Sequence, residues 1–299
     1  MSETTTEASP VVVVTGANGL VGARVCRALV ERGSTVRGVV RRAGAAPEVA
    51  GVDEWVGDFA DPAFATAVVA GADGVVTTVH PMASDRETQH RVGVKGTPVI
   101  AKAAADAGVG ILVHLSTAAV YDRSPGAGDA DEASPLVADD ADDYAVTKRD
   151  TDLALAEVDQ ITRVLVRPPA ILGPGQTSIW NTLRPMSMRD ADEPPRAVPD
   201  QTFAWVHVDD LAAFVADLAL DRIPGPARGG CTPVNVAAGP ATVRDYHETV
   251  TGALGIEPAW DDAPAWTGQI LTGRAHDWGW SPTVDLSTAL VEIEEGLRH

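Results

Sequence analysis

Cysteine is scarce in this chain of 299 residues, and long apolar runs are missing. Cys26 and Cys231 are too few for a disulfide framework or a multi-thiolate metal site, and the seven histidines show no HxxxH or HExxH spacing, so we expect no metal. No run reaches the roughly 18 apolar residues of a membrane helix, and residues 1–7 lack the basic and apolar character of a secretory signal. We therefore expect a cytoplasmic protein that does not enter a membrane.

Positive charge is also in short supply. The chain carries 23 Lys and Arg residues against 42 Asp and Glu residues, a formal net charge of −19. Such a surface repels nucleic acid and anionic membranes. A small-molecule substrate is therefore the expected partner, bound by a monomer or a homodimer. With only three lysines in the chain, a lysine at a chemically meaningful position stands out.

Short apolar strands alternate with helices through the first half of the chain, which predicts an α/β fold with a Rossmann-type, doubly wound parallel sheet. The predicted strands are 11–14, 36–40, 54–56, 74–79, 111–115 and 161–166, with helices at 87–107 and 143–157. We assign 10–170 to a dinucleotide-binding domain, which the chain rejoins at about 203–238 through strands at 203–208 and 233–236. The loop-rich segment 171–202 and the mostly helical 239–299 form a smaller substrate-binding region.

Three glycines separate the first strand from the first helix. Gly16, Gly19 and Gly22 would let the backbone turn tightly and approach a pyrophosphate at the helix N-terminus, together with Asn18 and the Leu20–Val21 pair. The spacing is GxxGxxG rather than GxGxxG, so its position between strand and helix is the stronger signal. The alternative is a turn that serves packing alone.

The second strand indicates which cofactor binds. An acidic residue here would bind the ribose 2′-hydroxyl of NAD, but the segment offers Arg37, Arg41 and Arg42 instead. A 2′-phosphate fits better, so we predict NADP, with NAD as the less favoured cofactor. Alternatively, these arginines are solvated loop charges. Asp58, next to Phe59, is placed to meet the adenine amino group or to cap the helix that begins near Pro62.

The most specific local pattern is Tyr144 followed four residues later by Lys148. These positions share one helical face, so phenol and ammonium can point into one cleft. A nearby positive charge would lower the pKa of the phenol from its usual value of about 10, which favours acid–base catalysis. Thr117, at the end of the 111–115 strand, could hydrogen-bond a substrate carbonyl, although a threonine at a strand end is often structural.

With these motifs the chain resembles the extended short-chain dehydrogenase/reductases. The resemblance lies in TGANGLVG at 15–22, STAAVY at 116–121, YAVTK at 144–148, RPPAILGPG at 167–175 and WVHVDDLA at 205–212. It implies that Thr117 is the catalytic hydroxyl, Tyr144 the acid–base and Lys148 the lysine that binds the nicotinamide ribose. It also implies that cofactor contacts are made by Thr77, Thr78, Val79, Pro168 and Ile171. The VRGVVRR segment resembles that of NADPH-dependent dihydroflavonol and cinnamoyl-CoA reductases.

The chain departs from the family pattern at several positions. Gly93 stands where many members have an asparagine, which puts a water-mediated proton relay there in doubt. Ala118 and Ala119 replace the carboxylic pair of the sugar-nucleotide dehydratases. Phe203 replaces an arginine that holds a sugar-nucleotide diphosphate in related enzymes. Sugar-nucleotide chemistry is therefore disfavoured.

We thus expect an NADP(H)-dependent oxidoreductase that reduces a ketone or aldehyde, or oxidises the alcohol, of a small apolar or aromatic molecule. An epimerase or dehydratase that recycles its cofactor is the first alternative, and a non-catalytic dinucleotide sensor is the second. The expected substrate contacts are His80, Met82, Thr117, Tyr121, Ile179, Trp180 and Met186. The C-terminal tryptophans, Trp260, Trp266, Trp278 and Trp280, are more typical of packing than of a substrate cage.

Overall fold

The computed structural model describes residues 9–193 and 195–298. Its strands are β1 (Val11–Thr15), β2 (Thr35–Val40), β3 (Val52–Val56), β4 (Gly74–Thr77), β5 (Ile111–Leu115), β6 (Thr162–Arg167), β7 (Ala170–Leu172), β8 (Arg196–Ala197), β9 (Trp205–His207), β10 (Cys231–Asn235) and β11 (Ala259–Trp260). Its helices are α1 (Leu20–Glu31), α2 (Pro62–Val69), α3 (Arg86–His90), α4 (Thr97–Asp106), α5 (Asp143–Ala156), α6 (Arg184–Arg189), α7 (Val208–Ala219), α8 (Val243–Leu254), α9 (Gly273–Asp277) and α10 (Leu286–Arg298). A π-helical segment (Arg91–Gly96) joins α3 to α4, a second one (Ile179–Leu183) precedes α6, and a 3₁₀ turn (Ala118–Val120) follows β5.

Seven of these strands form the central sheet in the order β10-β6-β5-β4-β1-β2-β3, and all neighbouring pairs are parallel. The chain leaves β1 toward β2 on one side and later builds β4 on the other. The strand order therefore reverses between β1 and β4. In doubly wound folds, the carboxyl ends of the strands at such a reversal form the ligand-binding crevice. The predicted Rossmann-type sheet is confirmed.

The burial of β1 shows why these residues form a central strand. Side chains alternate between the two faces of a strand, and here both faces are covered by helices. Val12 and Val14 belong to the core on the α1 and α7 side, whereas Val13 belongs to the core on the α2 and α4 side. The β-branched residues Val12, Val13 and Val14 are therefore all buried, and the glycine turn follows directly after this strand.

One strand lies elsewhere than predicted. The 203–208 segment does not rejoin the central sheet, because β9 pairs in parallel with β7 in a separate two-stranded sheet. The chain bends after β6 at Pro168–Pro169, and β7 then presents a new edge to which β9 binds. The open side of β6 is occupied by β10, as the predicted return at 233–236 requires.

The region beyond β7 contains more helix than the loop-rich prediction for 171–202 implied. The π-helical segment and α6 lie within it, and α10 packs against α8 and against that π-helical segment. Within 9–193 and 195–298, no helix is both long and apolar enough to cross a membrane, and no cluster of three metal-binding side chains occurs.

Candidate active site

A large cleft opens at the carboxyl ends of β1, β4 and β5. Its volume is about 1230 Å³, which exceeds the roughly 300–1,000 Å³ of pockets for one drug-sized ligand. It is lined by residues from the glycine turn, from the ends of β2 to β5, from α5, from the segment after β6 and from α8. The cleft can therefore hold two molecules end to end, as a cofactor and a substrate require.

The glycine turn forms the floor of one end of the cleft. Gly16 has a left-handed backbone with φ of +68°, and a Cβ on it would lie 2.7 Å from Thr78 Oγ1. A Cβ on Gly22 would come within 2.1 Å of the carbonyl oxygen of Gly16. Both positions thus require glycine, because the turn packs against its own backbone and against β4.

The first turn of α1 faces the same cleft. Its N-cap residue is Gly19, which offers no side chain to the free backbone N–H groups of that turn. Asn18, Leu20 and Val21 line the cleft around it. A helix start with free N–H groups and the positive end of the helix dipole attracts anions such as phosphate.

Arg41 and Arg42 lie at the far end of the cleft, just after β2. Both side chains are exposed, and neither has an ion pair or hydrogen bond within the described part of the chain. The loop that carries them is held by Glu54, whose carboxylate accepts hydrogen bonds from the N–H groups of Gly44 and Ala46 at 2.9 and 3.0 Å. Asp58 and Phe59 line the wall beside this loop. Asp61, rather than Asp58, caps α2.

Arg37 does not join this group, contrary to the sequence prediction. Its guanidinium donates to the carbonyl oxygens of Val68 and Ala70 at the end of α2, both at 2.7 Å, and lies over the ring of Trp55. Successive side chains of a strand face opposite ways, and Arg37 shares its face with Val39, on the α2 side. It therefore has a structural contact instead of a place in the cleft.

Thr117, Tyr144 and Lys148 all line the middle of the cleft. The Asp142 carboxylate caps α5 and fixes the start of the helix that carries Tyr144 and Lys148. Lys148 is buried, and its ammonium donates to the carbonyl oxygen of Leu115 at 2.6 Å. Thr117 Oγ1 accepts a hydrogen bond from Ala119 N at 3.1 Å, which leaves the hydroxyl proton of Thr117 free to be donated.

The pKa of Tyr144 moves in the direction opposite to that expected from sequence. Burial of the phenol raises it above the usual value, while the Thr117 side chain and the positive charge of Arg123 lower it in part. Lys148 does not contribute to this shift of the Tyr144 pKa, and its ammonium donates to the carbonyl oxygen of Leu115. Tyr144 therefore keeps its proton at neutral pH, as a proton donor must.

Buried charged groups lie behind the cleft lining, next to Lys148. Burial lowers the pKa of Lys148 to about 8, and the negative charge of Asp152 opposes that shift. Asp152 is itself buried and pairs with Arg167 at 3.0 Å. Lys148 is thus close to losing its proton at slightly alkaline pH, which makes its charge sensitive to pH.

His80 packs edge-on against Tyr144, with ring centroids 5.1 Å apart. Its Nε2 lies 3.1 Å from Gln89 Oε1, and burial together with the charge of Lys148 lowers the pKa of His80 to about 3. Gly93 explains the tight fit, because a Cβ there would lie 2.8 Å from Thr151 Oγ1 and 3.4 Å from His80 Nδ1. An asparagine side chain has no room at this position, so the absence of a side chain at Gly93 allows the neutral His80 ring to pack here.

Besides Arg37, three predicted site residues lie outside the cleft. Thr77 is buried within the sheet and bonds His114 Nδ1 at 2.8 Å, whereas its neighbours Thr78 and Val79 line the cleft. Tyr121, predicted as a substrate contact, is buried, and its hydroxyl donates to Asn235 and accepts from Arg167. Met186 is exposed on α6, directed away from the cleft lining. The 3₁₀ turn after Thr117 accounts for the burial of Tyr121, because the chain turns there and the tyrosine side chain enters the protein interior.

The other end of the cleft is largely aromatic. Trp180 packs edge-on against Phe203 at 5.1 Å and against Tyr246 at 5.3 Å, and Phe203 stacks on Tyr246 at 4.8 Å. Met82 and Ile179, which were predicted to contact the substrate, line the cleft. Pro168 and Ile171, which were predicted to contact the cofactor, also line it. No sequence motif marks Tyr246, which reaches this end only through the packing of α8.

Arg123 and Arg184 also line the cleft, and sequence analysis missed both. Their guanidinium groups lie over the rings of Trp266 and Trp180, at 5.6 and 5.1 Å from the ring centroids. Trp260, Trp266, Trp278 and Trp280 pack outside the lining, as their predicted packing role requires.

The cationic side chains of the lining are Arg41, Arg42, Arg91, Arg123, Lys148, Arg184 and Arg196, and its carboxylates within the described ranges are Asp58 and Asp261. The cleft is therefore positive within an acidic protein.

Residues 12–227, most of the chain, match the NAD dependent epimerase/dehydratase family. The chain belongs to this family. It is an NAD(P)-dependent enzyme of the extended short-chain dehydrogenase/reductase type, as the sequence motifs imply. This family membership agrees with the glycine turn and with the Tyr144 and Lys148 pair in the cleft.

Individual relatives within this family differ in how much they share with the chain. It is similar to a ceramide reductase of Caulobacter vibrioides (strain NA1000 / CB15N), with 30% identity over 282 residues that cover 93% of this chain and 73% of that protein. It is also similar to a 2-alkyl-3-oxoalkanoate reductase of Stenotrophomonas maltophilia (strain K279a), with 32% identity over 174 residues. That match covers 56% of this chain and only about half, 53%, of the relative.

Among solved structures, the chain is similar to a UDP-glucose 4-epimerase of Bifidobacterium longum in complex with NAD+ and UDP. The TM-score is 0.75 at 17% identity, over 96% of this chain and 98% of that one. At this identity the likeness shows a shared fold.

Proposed function

We propose that this protein is an NADP(H)-dependent reductase of a ketone or aldehyde carried by a small apolar or aromatic molecule. The observation that carries the proposal is the place of Tyr144 beside Thr117 in the middle of the cleft, where burial raises the pKa of the phenol. A phenol that holds its proton at neutral pH can donate it to a carbonyl oxygen, which is the proton transfer that carbonyl reduction requires. The curated relatives named above are reductases, which supports the same class of reaction.

The residues present fit a nicotinamide dinucleotide. The uncapped start of α1 and the turn in which Gly16 and Gly22 leave no room for side chains would hold its pyrophosphate. Arg41 and Arg42 would bind the 2′-phosphate of NADP, and Lys148 the nicotinamide ribose. We assign 10–170 and 208–238 to this cofactor side, and 171–207 and 239–299 to the substrate side, because β9 pairs with β7 outside the central sheet and Phe203 packs on Trp180.

Each residue of the central group has one task. When bound, the cofactor supplies a hydride to the carbonyl carbon. Thr117 donates a hydrogen bond to the carbonyl oxygen, and Tyr144 transfers its proton to that oxygen as the alcohol forms. The charge of Arg123 stabilises the phenolate that remains on Tyr144. Pro168, Met82 and the Trp180 group add apolar surface to the same cleft.

The Tyr144→Phe variant tests the role of the phenol. We expect kcat for carbonyl reduction to fall by about 10²- to 10⁴-fold, since the proton donor is lost. NADPH affinity, measured by calorimetry, should stay within about threefold because the helix and the glycine turn are unchanged. Tyr121→Phe is the matched control, since it removes the same oxygen from a tyrosine outside the cleft and should leave kcat nearly unchanged. Full turnover by Tyr144→Phe would refute the proposal.

Cofactor stoichiometry separates this reaction from epimerisation or dehydration. A reductase consumes one NADPH per product molecule, so the absorbance of the reduced nicotinamide falls in step with product. An enzyme that recycles its cofactor forms product with no net change in that absorbance. The second outcome would replace reduction by the alternative chemistry.

A further inference from the structure

Uncompensated positive charge is concentrated in the cleft. Ten of the twenty arginines form ion pairs, and three more, Arg37, Arg163 and Arg274, donate hydrogen bonds. Within residues 9–193 and 195–298, the arginines with neither kind of partner are Arg27, Arg41, Arg42, Arg91, Arg123, Arg184 and Arg189. Five of these seven line the cleft. In a chain with a net charge of −19, arginines without a carboxylate partner mark a place where an external anion binds.

Arg123 is the one of these arginines that lies beside the proposed proton donor. Its charge lowers the pKa of Tyr144, and burial lowers the pKa of Arg123 itself. Arg123 is partly buried, and a cation that loses part of its hydration is stabilised by an anion or a hydrogen-bond acceptor that pairs with it. Within the described part of the chain no carboxylate does so. A ligand in the cleft can supply that partner.

Trp266 lies beside the guanidinium of Arg123. The guanidinium lies over the indole ring at 5.6 Å from its centroid, and the indole is buried and donates from Nε1 to the carbonyl oxygen of Gly128 at 2.6 Å. Within the described part of the chain the guanidinium makes no ion pair or hydrogen bond, so its N–H groups are available to a ligand. A fork of parallel N–H groups matches the two oxygens of a carboxylate, which makes a bidentate pair.

This cation belongs to the substrate end rather than to the phosphates of the cofactor. The carbonyl oxygen of Trp266 accepts from Thr202 N at 3.0 Å, and the next residue, Phe203, packs against Trp180. Arg123 therefore lies near the aromatic wall, whereas the glycine turn, Arg41 and Arg42 occupy the opposite end.

We infer that the substrate carries a carboxylate, and that Arg123 binds it close to the carbonyl group that Tyr144 protonates. The inference rests on the proposed reductase function for the identity of that carbonyl. It narrows the substrate class to keto acids or aldehyde acids whose remaining part is apolar enough to lie against Trp180, Phe203 and Tyr246. Arg123 is then a specificity-determining residue as well as a neighbour of the proton donor.

A binding experiment tests the carboxylate site without any turnover. The protein, loaded with NADP+, is titrated by calorimetry with benzoate, phenylacetate and 3-phenylpropanoate and with the matching amides, which have nearly the same shape but no charge. We expect at least one acid to bind about 10- to 100-fold more tightly than its amide. Arg123→Gln should remove this preference, and Arg123→Lys should restore part of it. Equal binding of acids and amides, or no binding of any acid, would overturn the inference.

Two further variants make the assignment specific. Arg189→Gln removes the same charge from an exposed, unpartnered arginine outside the cleft and should keep the preference for acids. Arg184→Gln removes a cation from the aromatic wall and should also keep most of it. If Arg184→Gln abolishes the preference and Arg123→Gln does not, the assignment to Arg123 is wrong. Thermal unfolding of each variant confirms that it folds.

Turnover gives a second, separate measurement. The enzyme is assayed with 2-oxo-4-phenylbutanoate and with its ethyl ester. Arg123→Gln should lower kcat/KM for the acid at least tenfold more than for the ester. If Arg123 acted only through Tyr144, both substrates would lose the same factor and both pH profiles would shift, which would overturn the inference. Acid binding that depends on Arg123, combined with no reduction of either compound, would instead overturn the reductase proposal and support the carboxylate site.

Discussion

The two ends of the cleft are built in different ways. At the glycine turn, the contacts come from consecutive residues at the carboxyl ends of β1, β2 and β4, whose positions follow from the register of the sheet. At the aromatic end, Trp180, Phe203 and Tyr246 come from a π-helical segment, a short connection and α8. The first end is specified by local sequence, whereas the second depends on how distant segments pack. We therefore expect changes at the first end to alter cofactor binding alone.

The sharpest test of this difference is Gly22→Ala. The new Cβ would lie 2.1 Å from the carbonyl oxygen of Gly16, so the turn must open. We expect NADPH affinity to fall by about 100-fold or more, since the backbone N–H groups would no longer converge on the pyrophosphate.

Gly252→Ala provides the control for this change. It adds the same methyl group to α8 at a position where no atom lies within 4 Å, and NADPH affinity should be unchanged. Calorimetry measures both variants, and circular dichroism checks the fold. Unimpaired NADPH binding by folded Gly22→Ala would show that the turn does not carry the cofactor.

A smaller effect is expected from the double variant Arg41→Gln/Arg42→Gln. Loss of two charge-assisted contacts should weaken NADP binding by about 10- to 100-fold and leave NAD binding nearly unchanged, so the preference for NADP disappears. Arg37→Gln removes one positive charge from β2 outside the cleft, where the side chain bonds the end of α2. It should lower stability but keep the preference. A wild-type preference for NAD would contradict the NADP proposal.

The pH dependence should show the smallest effect. Lys148 loses its proton with a pKa of about 8, whereas Tyr144, with its raised pKa, stays protonated well beyond that pH. The rate constant kcat/KM for reduction should therefore fall above pH 8, by up to about tenfold per pH unit. Lys148→Arg keeps its charge throughout this range and should flatten the decline. A wild-type rate that stays constant from pH 7 to 10 would show that the charge of Lys148 is not needed.

Much of the cofactor end could be predicted because its signals are local. The glycine spacing indicated the turn, and the four-residue separation of Tyr144 and Lys148 indicated one helical face. Arg37 was predicted wrongly even though strand alternation assigns it to the face of Val39, which α2 covers. That error was avoidable from the sequence.

The substrate end could be predicted only in part because its residues meet through tertiary packing. Ile179 and Trp180 reach the cleft, whereas Met186 on the next turn of helix does not. Tyr121 is turned inward by the 3₁₀ turn that precedes it. Arg123 follows it in an irregular segment, where no periodicity indicates which way a side chain points. Its orientation depends on Trp266, more than a hundred residues further along the chain.

The outer position of β10 ties the two parts of the chain into one folding unit. This strand, from the last third of the sequence, covers the side of β6 that would otherwise present unpaired backbone groups to solvent. Asn235, at the end of β10, also accepts a hydrogen bond from the hydroxyl of Tyr121, which lies directly after the 3₁₀ turn that follows Thr117. A fragment that ends at residue 170 would keep the nucleotide-binding motifs but would expose the unpaired backbone groups of β6 at the edge of the sheet. We therefore expect it to aggregate instead of folding as an independent domain.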